Sequence, residues 1–223
     1  MTAMIDHAAQ ARCSWANPAN PLYLRYHDEE WGVPCGDETR LFEMLNLEGA
    51  QAGLSWSTIL AKRENYRTAF EGWDPSPIAR YGDADLARLM GDAGIVRNRM
   101  KIGSAINNAR AVLPLIDEFG GLGPYLWSWV GGQPIVGDRP ADAPIPSRSE
   151  LSDALSKDLI ARGFRFVGST IVYAYMQAIG MVDDHAVGCF RHAQAAGRIV
   201  SPTATPATPS MSSSAPDRAD ARP

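Results

Sequence analysis

From Asp37 onward the chain repeats apolar residues at helical intervals. Leu41, Met44, Leu45, Glu48, Gln51 and Ala52 share one face, while Arg40, Glu43, Asn46 and Ala50 fall towards the other. Asp37 opens the segment as a good N-cap, because its carboxylate can accept a free backbone N–H of the first turn. The face that enters the core therefore carries a carboxylate and an amide, Glu48 and Gln51. Burying a carboxylate is costly unless it is paired or used, and two glycines and Trp56 follow at once. That combination describes the wall of a ligand pocket. The plainer alternative is a Glu solvated at a frayed helix end.

The same reading places further helices along the chain. One runs over 56–70 and is broken at Trp73-Asp74-Pro75-Ser76-Pro77. A short one covers 83–90 and is stopped by Gly94. A longer one starts at Asn98 and ends near Asp117, with Ile102, Ala105, Ile106, Ala109, Val112, Leu113 and Ile116 in one stripe. Another short helix begins near Pro124, a Gly- and Pro-rich loop fills 131–149, and helices follow over 152–161 and 168–179. No run of alternating strand positions and no internal repeat is found, so the fold is expected to be all-α. Ahead of Asp37, Trp15, Tyr23, Tyr26 and Trp31 alternate with charged residues. Such a cluster is ordinarily core, but its Trp and Tyr content also suits a pocket with stacking faces and polar handles. Residues 1–12 read as a flexible arm and 13–192 as a single folded domain. Residues 193–223 are dominated by Ser, Thr, Pro and Ala and read as a disordered tail.

Composition narrows the class. A chain of 223 residues at 45% hydrophobic content can build a sizeable core. It has no long apolar run, so no membrane partner is expected. Met1-Thr2-Ala3-Met4-Ile5-Asp6-His7 lacks the basic start and apolar stretch of a signal peptide, so a cytoplasmic location is expected. Three cysteines, Cys13, Cys35 and Cys189, argue against structural disulfides there. The net charge of −4 disfavours nucleic acid as a partner unless positive charge is concentrated locally.

Two constellations could carry chemistry. His185 and Cys189 lie four apart, on one side of a helical turn, and Cys13 and His27 form a second pair near the other end of the chain. Two thiolates and two imidazoles make a closed tetrahedral zinc site, structural rather than catalytic. A core cysteine beside a surface histidine produces the same spacing. The second constellation lies over 89–102: a helix end, the turn at Gly94, an apolar pair and a helix start, with Arg97, Arg99 and Lys101 nearby. Backbone N–H groups in such a hairpin can hold a phosphate, and an ordinary helical corner with solvated basic residues has the same pattern. No nucleophile–base set and no phosphate-cradling glycine loop stands out. Asp117 reads as solvated at a helix end.

Several stretches together are more specific. Tyr26-His27-Asp28-x-Glu30-Trp31-Gly32-Val33-Pro34, Leu41-Phe42-Glu43-Met44, Leu47-Glu48-Gly49-x-Gln51-Ala52-Gly53-Leu54-Ser55-Trp56, Arg63-Glu64-Asn65-Tyr66 and Gly163-Phe164-x-Phe166-Val167-Gly168 through Asp184-His185 closely resemble the bacterial 3-methyladenine DNA glycosylase I family. The likeness runs from about Cys13 to Cys189. It implies a two-lobed helix–hairpin–helix glycosylase fold with one structural zinc ion at Cys13, His27, His185 and Cys189. It also implies a monomeric, monofunctional repair enzyme. Such an enzyme flips out and hydrolyses 3-methyladenine from double-stranded alkylated DNA, with 3-methylguanine a second candidate, and leaves free base and an abasic site. In that reading Glu48 and Trp56 contact the base, Tyr23, Tyr26, Trp15 and Trp31 surround it, and Gln51 orients Glu48 or reaches the base. Leu54 fills the gap in the duplex, and the hairpin with Gly94, Arg97, Arg99 and Lys101 meets the DNA backbone. Ala50 stands where the family pattern has a second Gln, and Met100 where it has Gly. The competing reading from another class is a non-catalytic, zinc-stapled module that binds DNA lesions. A bifunctional glycosylase/lyase would require a pocket lysine, which the central helix lacks.

Overall fold

A computed structural model describes residues 11–192. The expected arm and tail therefore lie largely outside the described residues. The described chain is mostly helical: α1 (Pro21–Glu29), α2 (Glu38–Gln51), α3 (Trp56–Ala69), α4 (Pro75–Ile78), α5 (Asp83–Gly91), α6 (Arg99–Phe119), α7 (Leu122–Ser128), α8 (Glu150–Ala161) and α9 (Ser169–Ala178). Side-chain caps set several starts, as backbone donors without partners require. Asp37 accepts from Arg40 N–H (2.8 Å), Ser55 from Thr58 N–H (3.2 Å), and Asn98 from the N–H groups of Met100 and Lys101 (3.0 and 3.1 Å). None of the helices among the described residues is long and apolar enough to cross a membrane.

Two expectations are corrected and one helix is added. The fold is not purely helical: β1 (Ile135–Val136) and β2 (Val182–Asp183) form a short parallel pair, Ile135 opposite Val182 and Val136 opposite Asp183. Two-residue strands are too short to leave an alternating pattern. The proline-rich break at 73–77 contains a helical turn of its own, because Pro75 takes the first helical position, where no N–H is needed. The aromatic segment before Asp37 contains α1, with Pro21 again at the helix start and Asn20 as its cap.

Helix α2 is the hub. It packs against α3, α6, α7 and α9, and every residue from Leu41 to Ala50 is buried. The side of α2 on which Arg40, Glu43, Asn46 and Ala50 fall is therefore covered as well, with Arg40 half-buried. Glu43 is held by arginines, and Asn46 donates to the Phe42 carbonyl (2.8 Å) and accepts from Asn108 of α6 (3.1 Å). Gly180 is required by close approach. It takes φ +75, and a Cβ there would meet the Val33 backbone at 2.3 Å.

Candidate active site

Beside the second half of α2 lies a cavity of about 250 Å³, lined by Trp15, Tyr23, Tyr26, Trp31, Glu48, Gln51 and Trp56 and also by Ile145, Ala174 and Gln177. All seven residues expected to form the base pocket are brought together there. Tyr26 and Trp56 face each other with ring centroids 5.3 Å apart, and Trp15 meets Tyr23 at 5.3 Å and Trp31 at 4.9 Å, edge on. Glu48 is sealed from bulk solvent, at 5% exposure, and its carboxylate has no hydrogen-bond partner among the described residues. Burial pushes its pKa up to about 8. Burial also raises the phenols of Tyr23 and Tyr26, with Glu48 adding to the shift in both. An aromatic-walled cavity with one unpaired acid is built for a flat, cationic guest: ring faces attract a cation, and a cation restores the charge of the carboxylate. No residue lining the cavity is a lysine.

Three lining residues were missed by sequence reasoning. Ile145 comes from the Gly/Pro-rich loop and carried no signal. Ala174 and Gln177 come from α9, where a long amide in an apolar helix was a legible oddity.

Next to the cavity sits a second cluster. Cys13, His27 and Cys189 are buried with their ligand atoms all within 4.8 Å of one another. The spacing of His185 and Cys189 works differently from expectation. No helix spans them, and a turn with Gly188 at φ +93 brings them round. His185 stands outside the group of three, but its ring centroid is 5.0 Å from that of His27, and its Nε2 is buried with no partner among the described residues. Each histidine has its Nδ1 against a carboxylate at 2.8 Å, His27 on Asp28 and His185 on Asp183, which directs both Nε2 atoms to the same region. The mutual hydrogen bond of the two thiols lowers the pKa of Cys189 and raises that of Cys13, so one of the two favours the thiolate form that binds a metal. Arg139, from the loop, donates to the Asp184 carbonyl (2.9 Å) and to Cys13 Sγ (3.7 Å). Two thiols and two imidazoles with oriented Nε2 atoms fit a four-ligand metal centre. This cluster is also the back of the cavity: Trp15 packs on His27 at 5.0 Å and Trp31 on His185 at 4.6 Å.

The hairpin residues divide. Arg97 and Arg99 are exposed, as is Met100 at 72%. Lys101 turns away from the surface: its Nζ donates to the carbonyls of Ala50 (2.7 Å) and Ala52 (2.6 Å), at the end of α2. Gly94 N–H is taken by the Asp92 carboxylate (2.7 Å), and Lys62 Nζ donates to the Gly94 carbonyl (3.1 Å). Side-chain oxygens of Asp92 and Asn98 thus occupy donors that a phosphate would need. Leu54, on the turn between α2 and α3, is 41% exposed. Ala50 is buried, lining a small void with Asn46, Tyr66 and Lys101. Asp117 is exposed, as expected.

Comparison with known proteins is consistent over the same span. The methyladenine glycosylase family model matches residues 15–192. The chain is 51% identical over 178 residues to DNA-3-methyladenine glycosylase 1 of Escherichia coli strain K12, covering 80% of this chain and 95% of that one. A crystal structure of 3-methyladenine DNA glycosylase I superposes with a TM-score of 0.78 at 49% identity, covering 81% of this chain and 98% of that one. A variant of such an enzyme in complex with 3-methyladenine superposes with a TM-score of 0.77 at 35% identity, covering 80% and 96%.

Proposed function

The chain belongs to the methyladenine glycosylase family and excises 3-methyladenine from DNA in repair, and we propose that it does so by drawing the damaged nucleotide out of the duplex into the cavity beside Glu48. The observation that supports this reading is the buried carboxylate without a partner inside an aromatic cage. Unstacking costs roughly a few kcal/mol, less for a damaged base. The cage recovers that cost through stacking on Trp56 and Tyr26.

A purine methylated at N3 carries positive charge and leaves as a neutral base, so its departure needs little acid help. The enzyme's work is recognition. Below about pH 8 the free protein holds Glu48 protonated. A cationic base entering the cavity favours the carboxylate and expels that proton, whereas plain adenine has no charge to offer in return. Tyr23, Trp15 and Trp31 close the cage, and Gln51, one turn beyond Glu48, steers its carboxylate or meets the base. Water then attacks C1′ and leaves an abasic site. A lyase step would need a lysine amine at the sugar, and none lines the cavity. Family membership sets aside the non-catalytic reading.

Leu54 is the side chain that enters the space vacated in the duplex. Arg97 and Arg99 are the phosphate contacts of the hairpin, and Gly94 joins them only if Asp92 releases its N–H. Lys101 acts indirectly, by fixing the hairpin to the end of α2. Cys13, His27, His185 and Cys189 would hold one zinc ion, which would tie the N-terminal segment to the C-terminal one within 13–192, read here as one two-lobed, monomeric domain. Its role there would be structural, with His27 and His185 holding Trp15 and Trp31 in place.

The test is release of free base from alkylated duplex DNA. Wild type should release 3-methyladenine with no borohydride-trapped adduct, and Glu48→Gln much less of it. A protein with one zinc per chain that bound such DNA without releasing base would sink the reading. For the metal, elemental analysis should find one zinc, and chelation should weaken both stability and binding of free 3-methyladenine, because Trp15 and Trp31 rest on the two histidines.

A further inference from the structure

The cavity contains a polar group with no role so far. Gln177 stands on α9 at 5% exposure and lines the cavity. Its Nε2 donates to Asp184 Oδ2 (2.7 Å), and the Tyr173 hydroxyl donates to the same oxygen (2.7 Å). Asp184 is itself anchored, since Arg139 Nε donates to its carbonyl (2.9 Å). A carboxylate oxygen that already receives a phenol O–H can only accept from Gln177, which settles the orientation of the amide. The NH2 group faces Asp184, and Oε1 is left over. The side-chain hydrogen bond of Gln177 among the described residues is the one from Nε2, none reaches Oε1, and the Gln177 backbone carbonyl is separately used by Gly32 N–H (2.8 Å).

An amide oxygen held this way beside a ligand cavity is an acceptor awaiting a donor. It differs from the other polar groups there. The phenols of Tyr23 and Tyr26 can donate or accept by rotating, and Glu48 changes with its protonation. The indole N–H groups of Trp15 and Trp56 are buried without partners among the described residues. Gln177 Oε1 can only accept, and it cannot exchange places with Nε2 without setting oxygen against oxygen at Asp184.

We propose that Gln177 is a specificity-determining residue of the excision reaction, its locked amide oxygen accepting from a base that presents an N–H and rejecting one that presents a carbonyl. The proposal rests on the glycosylase reading and names which purine that site prefers. Adenine derivatives carry an amine at C6, and guanine derivatives carry a carbonyl there. Two oxygens facing each other in the cavity leave both without a donor, which disfavours the guanine derivative by about tenfold or more. Tyr173 and Asp184 are positioning residues, acting through the orientation of the amide.

The experiment compares single-turnover release of 3-methyladenine and 3-methylguanine from the same alkylated duplex by wild type, Gln177→Met and Tyr173→Phe. Wild type should favour 3-methyladenine. Gln177→Met keeps the side-chain length and removes the acceptor, so the ratio of the two rates should fall about tenfold, mostly through slower 3-methyladenine release. Tyr173→Phe retains shape and loosens Asp184, so its ratio should fall by a smaller factor. The ratio is read on one population of molecules, so a folding defect that slows both reactions leaves it unchanged. An unchanged ratio in Gln177→Met overturns the proposal whatever the absolute rates. If that variant fails to fold, an unchanged ratio in Tyr173→Phe does the same. A wild type that releases both bases equally overturns it too, while the glycosylase reading survives. Release of neither base overturns the glycosylase reading and the proposal with it.

Discussion

Two glutamates on α2, five residues apart, are both buried, Glu43 at 2% exposure and Glu48 at 5%. Glu43 receives Arg63 through Nε (3.1 Å) and Nη2 (2.8 Å) and Arg67 through Nε (2.7 Å) and Nη2 (2.9 Å). Burial alone would raise its pKa, but the hydrogen bonds and charges of Arg63 and Arg67 outweigh that and hold it below the usual carboxylate range. Glu48 has no such partner, and burial takes it to about 8. Burial is common to both; the partner separates a structural carboxylate from one kept for a ligand. The two are also connected. Arg63 donates to Glu30 (2.6 Å) at the end of α1, so one guanidinium ties together α1, α2 and α3, the helices that carry Tyr23, Tyr26, Glu48 and Trp56.

The largest effect should come from removing the shared cation. Arg63→Met leaves Glu43 short of its buried partner and should cost about 3–5 kcal/mol in urea denaturation. Adding Glu43→Leu should recover part of that loss, and a purely additive double variant would show that the pair is not coupled. Next comes activity. Glu48→Gln should lower kcat/KM for 3-methyladenine release by about a hundredfold or more, since a neutral amide cannot become the charge that balances the base.

A smaller effect separates the two acids by pH. With Glu48 at about 8 in the free enzyme, kcat/KM should climb with pH as the proton becomes easier to expel and level off above that value. The Gln variant should lack that inflection. Smallest is the effect on stability. Glu48 has a raised pKa, so the folded state holds a proton that the unfolded chain loses, and its contribution becomes less favourable as pH rises from the ordinary carboxylate range to about 8. Thermal denaturation should therefore show Glu48→Gln gaining on wild type by roughly 1–3 kcal/mol between pH 5 and pH 9. Glu43 has a lowered pKa, and its stabilisation is present above the unfolded value and lost as pH falls through the folded one. Glu43→Gln should accordingly lose to wild type at neutral pH and close the gap in acid. Equal slopes for the two variants would break the distinction.

Much of the site was legible in sequence because it lies in local patterns. Glu48 and Gln51 break an apolar face, the cysteines and histidines have ligand spacing, and four of the cavity's five aromatic residues, Trp15, Tyr23, Tyr26 and Trp31, cluster within a short segment. Reading α2 as two-faced failed because α3 and α6 cover the side that the pattern left open: Arg63 and Arg67 take Glu43, and Asn108 takes Asn46. Lys101 illustrates the same limit: its basic neighbours are exposed, but its own ammonium lies against the carbonyls of Ala50 and Ala52, 51 and 49 residues earlier in the chain.

The sequence by itself determined most of the helices, the cap at Asp37 and the start of α6 at Asn98, together with seven of the residues that meet at the cavity and the members of the cysteine–histidine cluster. Only the tertiary structure decided which buried glutamate is paired, that Gln177 faces the cavity with its amide locked, and that Arg139 reaches Cys13 across 126 residues. The reason is physical. Helix periodicity and capping are set by neighbours within a turn or two, whereas ion pairing, desolvation and hydrogen-bond direction depend on distances between elements far apart in the chain.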